Sequence, residues 1–141
     1  MFHNFNHKLN TITDYLSFGI KELDLHNEKF FKLLEELRIY ASTKEKKAVI
    51  KELLDEFEAY SVYHFKIEEE MMSVSHFPDM ERHVAQHRFF VQKIHEFKQS
   101  FSYGNHVVDE QMLVFLRKWF VVHISDVDRQ FADFYLANEP K

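Results

Sequence analysis

Within residues 64–87, read as HFKIEEEMMSVSHFPDMERHVAQH, ligand-type side chains recur at a spacing of four: His64 with Glu68, and His83 with His87. That spacing puts both members of a pair on one face of an α-helix. Imidazole nitrogens and a carboxylate offered together in this way bind cations. Between the pairs, His76-Phe77-Pro78-Asp79 is a turn signal, so two antiparallel helices can bring the pairs face to face.

A fifth residue, His123, falls on the apolar stripe of a later helix. One histidine on an apolar helical face is commonly a hydrogen-bonded core residue. His64, Glu68, His83, His87 and His123 together are different, because burying five such groups without a metal requires a complete internal hydrogen-bond network. A carboxylate on a buried face costs several kcal/mol unless it is paired or metal-bound. The chain has no cysteine, so any metal must use nitrogen and oxygen ligands, which suit iron, zinc, manganese or copper. The ligand count exceeds what one tetrahedral zinc needs, and a carboxylate can bridge two ions, so a dinuclear iron site leads. The paired Glu-x-x-His motifs of ferritin-like sites are missing from the candidate residues.

The elements that must position these groups are helices. Only two Gly and two Pro occur in 141 residues, while hydrophobic residues make up 45% and Phe alone numbers sixteen. Few turns and a large aromatic interior predict a single all-α domain. Residues 1–17 lack helical periodicity and read as an N-terminal arm, in which His3 and His7 face solvent. A first helix is expected over 18–41, ended by Ser42-Thr43, with stripe Ile20, Leu23, Phe30, Phe31, Leu34, Leu37 and Ala41. His26 and Asn27 lie on opposite shoulders of that stripe.

The second helix is expected over 44–73, opening on the charged run 44–47, with stripe Ile50, Leu53, Leu54, Phe57, Tyr60 and Met71. Glu69 and Glu70 lie off it and read as solvated. The third, over 79–102, carries Met80, Val84, Phe90, Val91, Ile94, Phe97 and Phe101, and leaves His95 and His76 on the surface. Tyr103-Gly104-Asn105-His106 is the next turn.

The last helix, over 108–137, carries Met112, Phe115, Leu116, Trp119, Phe120 and His123. Beyond His123, unbroken spacing continues through Val127, Gln130, Phe131 and Phe134, whereas a one-residue bulge continues through Asp128, Phe131 and Tyr135. The architecture expected is an up-down-up-down antiparallel four-helix bundle over 18–141, whose interior is a favoured place for metal sites.

From about Tyr15 onward the chain resembles the bacterial hemerythrin family. The resemblance rests on Gly19-Ile20 with Leu23-Asp24, the run His64-Phe65-x-x-Glu68-Glu69-x-Met71-Met72, Phe77-Pro78, His83-x-x-x-His87, and Trp119-x-x-x-His123-Ile124-x-x-x-Asp128. It implies two non-haem iron ions, bridged by carboxylates and an oxo or hydroxo group, that bind O2 or another small diatomic molecule at one iron. Carried over position by position, Glu68 and Asp128 bridge the irons, His83, His87 and His123 complete one, and His64 binds the other.

Two positions depart from the family pattern. Where the family has Asp-x-Gln-His in the first helix, this chain has Asp24-Leu25-His26-Asn27. Aligning the apolar positions that follow puts Asn27 in the ligand slot, so either a local rotation brings in His26 or one iron lacks a ligand. Imidazole is the better iron ligand, and His26 is taken as the seventh. Phe120 stands where the family usually has leucine beside the O2 pocket, and its ring narrows that pocket.

An i, i+5 pair lies about 140° apart on an ideal helix, so His123 and Asp128 can share a site only across a π-type bulge. A regular helix would favour Asp126 instead. The expected function is reversible O2 binding for storage, delivery or sensing, without catalysis. The alternative is a redox protein or sensor reacting with O2, peroxide or nitric oxide through the altered first-helix position. A net charge of −5 with no basic stripe speaks against nucleic acid, and no stretch reads as a membrane span or leader, so a cytoplasmic setting is expected. The protein partner is left open, with the arm over residues 1–17 as the only candidate contact surface.

Overall fold

The computed structural model describes residues 18–41, 47–102 and 110–138, and these are helical, with short connecting segments and no strand. Helix α1 spans Lys21–Ala41, α2 Lys47–Ser75, α3 Met80–Ser100, α4 Glu110–Val122 and α5 Arg129–Ala137, the last two joined by a π-helical segment, His123–Asp128. The expected arm with His3 and His7, the break at Ser42-Thr43, the start of the charged run and the turn at Tyr103-Gly104-Asn105-His106 lie outside the described residues. Among the described residues no helix is long and apolar enough to cross a membrane.

Ring contacts fix the bundle's direction. Phe30 meets Phe57 while His26 meets His64, so α1 and α2 run antiparallel. Phe57 meets Phe90 while Phe65 meets His87, which sets α3 against α2. Phe97 meets Phe115 while His87 meets His123, which sets α4 against α3. Phe30 stacks on Phe120 with centroids 3.6 Å apart, closing the four-helix bundle between α1 and α4. The fully buried Phe30, Phe57, Phe90 and Phe120 thus form an aromatic layer across the molecule.

The ends of the elements follow from local chemistry. Before α1, Gly19 takes φ +78°, and the Asp24 carboxylate accepts from the backbone N–H of Phe18 (2.9 Å) and Gly19 (3.2 Å). This tie holds the chain off the helix axis, so α1 begins at Lys21 and not at residue 18 as its pattern suggests. At the far end of α2, His76 takes φ 59° and the Phe77 N–H donates to Met72 O at 3.0 Å, a Schellman closure with histidine in the usual glycine place. The predicted turn is therefore real, although α2 runs two residues past its expected end.

The stripe of α2 is set differently from its expected course. Ser61 and Met72 are fully buried, whereas Tyr60 and Met71 are only partly so. The helix is rotated slightly toward α3, and this rotation carries His64, Phe65 and Glu68 inward together.

A buried histidine and carboxylate cluster

Five side chains from three parts of the chain converge: Glu68 from α2, His83 and His87 from α3, and His123 and Asp128 from the two ends of the π segment. One ligand atom from each lies within 4.8 Å of all the others, and every one of the five residues is at most 2% exposed. His83 Nε2 is 2.8 Å from Asp128 Oδ1 and 2.6 Å from Glu68 Oε1. His87 Nε2 is 3.0 Å from Glu68 Oε1 and 3.1 Å from His123 Nε2, which is itself 3.0 Å from Asp128 Oδ1.

The π segment is what admits Asp128. Its wider turn puts His123 and the residue five positions on upon one face, and the bulged register is the one observed: Asp128 and Phe131 are buried, while Gln130 is exposed. Asp126 is exposed and accepts from Gln130 Nε2 at 3.0 Å, which removes it from the site. Beyond Phe131 the buried neighbour is Ala132, with Tyr135 half-buried.

Two side chains outside the predicted set hold the histidines from behind. His87 Nδ1–H donates to Glu69 Oε2 at 2.8 Å, and His123 Nδ1–H donates to Gln86 Oε1 at 3.1 Å. Each bond leaves the Nε2 lone pair aimed into the cluster. Glu69, expected to be solvated, is only partly exposed because this bond draws it over His87. The signal for both was adjacency: each directly neighbours a ligand candidate on its helix, and a ligating imidazole needs an acceptor for its other nitrogen. Phe65 stacks on His87 at 4.0 Å, and Trp119 stacks on His123 at 4.5 Å, so flat rings also fix the imidazole planes.

At His83, His87 and Asp128 burial opposes charge, yet the opposite charges prevail. Desolvation would lower the His83 imidazole, but its contacts with Asp128 and Glu68 raise it to about 9. His87 is likewise raised against its burial by Glu68 and Glu69. Burial would raise Asp128, but His123 and His83 hold it well below the usual carboxylate range. The site therefore draws positive charge to itself.

His64 stands beside this group and behaves differently. It is fully buried, and burial pushes it down to about 4 despite the nearby charges of Glu68 and Asp128. Neither of its ring nitrogens has a hydrogen-bond partner, and the same is true of Asp128 Oδ2 and Glu68 Oε2. Across from it, the His26 ring lies edge-on at 5.4 Å, half-buried, with Nδ1 enclosed and unpaired. Asn27 is 4% exposed and both of its amide ends are unpaired. The structure thus turns both shoulder residues of α1 away from open solvent. His76 and His95 are exposed, as expected.

These observations fit a cation better than a hydrogen-bond network. Three Nε2 atoms face one another and two carboxylates, and protons cannot satisfy every such contact at once. Neighbouring positions on an octahedron with metal–ligand bonds of about 2.1 Å are about 3.0 Å apart, matching the 2.6–3.1 Å spacings here.

Fold and site together define a cation-binding four-helix bundle. The profile of the hemerythrin HHE cation binding domain matches residues 19–135, and the chain belongs to the hemerythrin family. Among its relatives, the bacteriohemerythrin of Stenotrophomonas maltophilia is 30% identical over 120 residues, covering 85% of this chain and 77% of the relative. A hemerythrin-like protein of Naegleria gruberi is 30% identical over 113 residues, covering 80% of this chain and 82% of that one. A solved wild-type hemerythrin superposes with a TM-score of 0.75 at 28% identity, over 80% of this chain and 86% of its own. A leucine-to-alanine mutant of hemerythrin superposes at 0.76 and 28% identity, over 82% and 87%.

Proposed function

We propose that the protein holds two non-haem irons and binds O2 reversibly, for storage, delivery or sensing. In this reading His83, His87 and His123 would hold one iron and His64 and His26 the other, with Glu68 and Asp128 each offering carboxylate oxygens to both. The observation that carries it is the pair of half-used carboxylates: each offers one oxygen to the three-histidine group and keeps another unpaired, beside a His64 whose two nitrogens are also unpaired. One cation would leave that second set stranded in the core, at a cost of several kcal/mol.

When bound, the iron pair supplies the electrons that hold O2. The chain's own residues do the rest. Glu69 and Gln86 fix the tautomers of His87 and His123 so that both present lone pairs inward. Phe65 and Trp119 lock those rings against rotation. Phe30 and Phe120 close the bundle next to His64 and keep water from the bound molecule.

The test is an anaerobic iron titration followed by visible spectra before O2, after O2 and after its removal. Two irons per chain and a charge-transfer band that appears and then disappears are expected. One iron per chain, or a band that never reverses, overturns the reading.

A further inference from the structure

Among the described residues, Asn27 is the one buried amide that the site described above leaves idle. It is 4% exposed, and neither Oδ1 nor Nδ2 has a hydrogen-bond partner. An amide buried in this state is expensive, and an apolar residue of similar volume would avoid the cost.

Its position narrows what the amide serves. On α1 it lies between His26 and Phe30, whose rings both abut His64, at 5.4 and 6.4 Å. Phe30 stacks on Phe120, and Phe120 approaches His64 to 6.4 Å from α4. Asn27 is therefore buried at the level of His64, where unpaired nitrogens and carboxylate oxygens collect. A neutral amide is a poor metal ligand beside imidazole and carboxylate, but its Nδ2–H2 group is a good donor.

We propose that Asn27 is a specificity-determining residue, donating a hydrogen bond from Nδ2 to the small molecule bound at the centre. The inference rests on the di-iron reading. It favours ligands whose outer atom carries negative charge and accepts a hydrogen bond, such as azide, over ligands of the same size without such an acceptor.

The experiment compares azide binding to the iron-loaded wild type and to Asn27→Leu, with iron content and melting temperature measured on the same samples. The expected result is unchanged iron content, an azide-free melting temperature no lower than wild type, and an azide dissociation constant raised about tenfold, equivalent to about 1.4 kcal/mol. Unchanged azide affinity overturns the proposal. So does a loss of iron, which would make the amide oxygen a ligand. Should leucine prevent folding, Asn27→Ala carries the same comparison, with the same loss of azide affinity expected and retention overturning the proposal. A wild type that takes up no iron, or shows no azide band, instead removes the di-iron reading itself.

Discussion

Glu69 shows how much of the site's character sits in groups that touch no metal. Its Oε2, 2.8 Å from His87 Nδ1, makes that imidazole more basic and fixes its plane. Glu69→Ala should weaken metal binding by about 10- to 100-fold, while Glu69→Gln, which keeps an acceptor oxygen, should recover most of the loss; competition against a chelator of known affinity measures both. Phe120 acts on the ligand side. Its ring stacks on Phe30 and, like Phe30, lies 6.4 Å from His64, so Phe120→Leu should speed entry and release of O2, and stopped-flow rates identical to wild type would show that the ring does not gate the site. At this scale the sequence was informative about which histidines and carboxylates gather in the cluster and gave only adjacency as a sign of the groups behind them. Four-residue spacing on an apolar stripe announces an inward histidine, but nothing in the spacing of Glu69 or Gln86 says which neighbouring helix each will meet.

At the scale of elements, the last helix is decisive. An unbroken α-helix would swing Asp128 about 140° from His123, and the π segment prevents this by inserting one residue's worth of backbone. Deleting Ser125, an exposed residue within that segment, should remove the inserted residue, turn His123 and Asp128 into an i, i+4 pair on one face of a regular helix and keep Asp128 in the cluster. Metal analysis of the deletion variant should then show the wild-type content, with helicity by circular dichroism retained, whereas Asp128→Ala in the intact chain should lose metal; lost metal in the deletion variant would mean that the bulge does more than set the register. The bulge was legible because the family resemblance pairs His123 with Asp128, and an i, i+5 pair cannot share a regular helical face; spacing alone left both registers open. The rotation of α2 was not, since Tyr60 and Ser61 compete for one place and only packing against α3 decides between them.

For the molecule as a whole, three parts of the chain are tied together by one buried, charged cluster. The bundle has an aromatic layer to hold it, yet the carboxylates and imidazoles must be compensated for the core to remain shut. Metal binding free energy is in such cases folding free energy. Removing metal with a strong chelator should therefore lower the melting temperature by several degrees or more, on the order expected for losing 2–4 kcal/mol, and readdition of iron should restore it. A melting point indifferent to chelation would separate the cluster from the fold. All-α class and a four-helix bundle followed directly from scarce Gly and Pro with long amphipathic runs. The exact ends of the helices did not, because Gly19 with Asp24 at one end, and a left-handed His76 at another, redirect the backbone by contacts that periodicity does not encode.

The indole stacked on His123 gives the protein an optical gauge of its own contents. Trp119 is the only tryptophan in the chain, so its emission comes from a single place, 4.5 Å from an imidazole of the cluster. Iron at His123 should quench that emission, and zinc, which absorbs no visible light and has no redox chemistry, should leave it bright. Fluorescence titration would then report filling of the three-histidine position alone, with no added dye; equal response to both metals would mean that the stack is broken in solution.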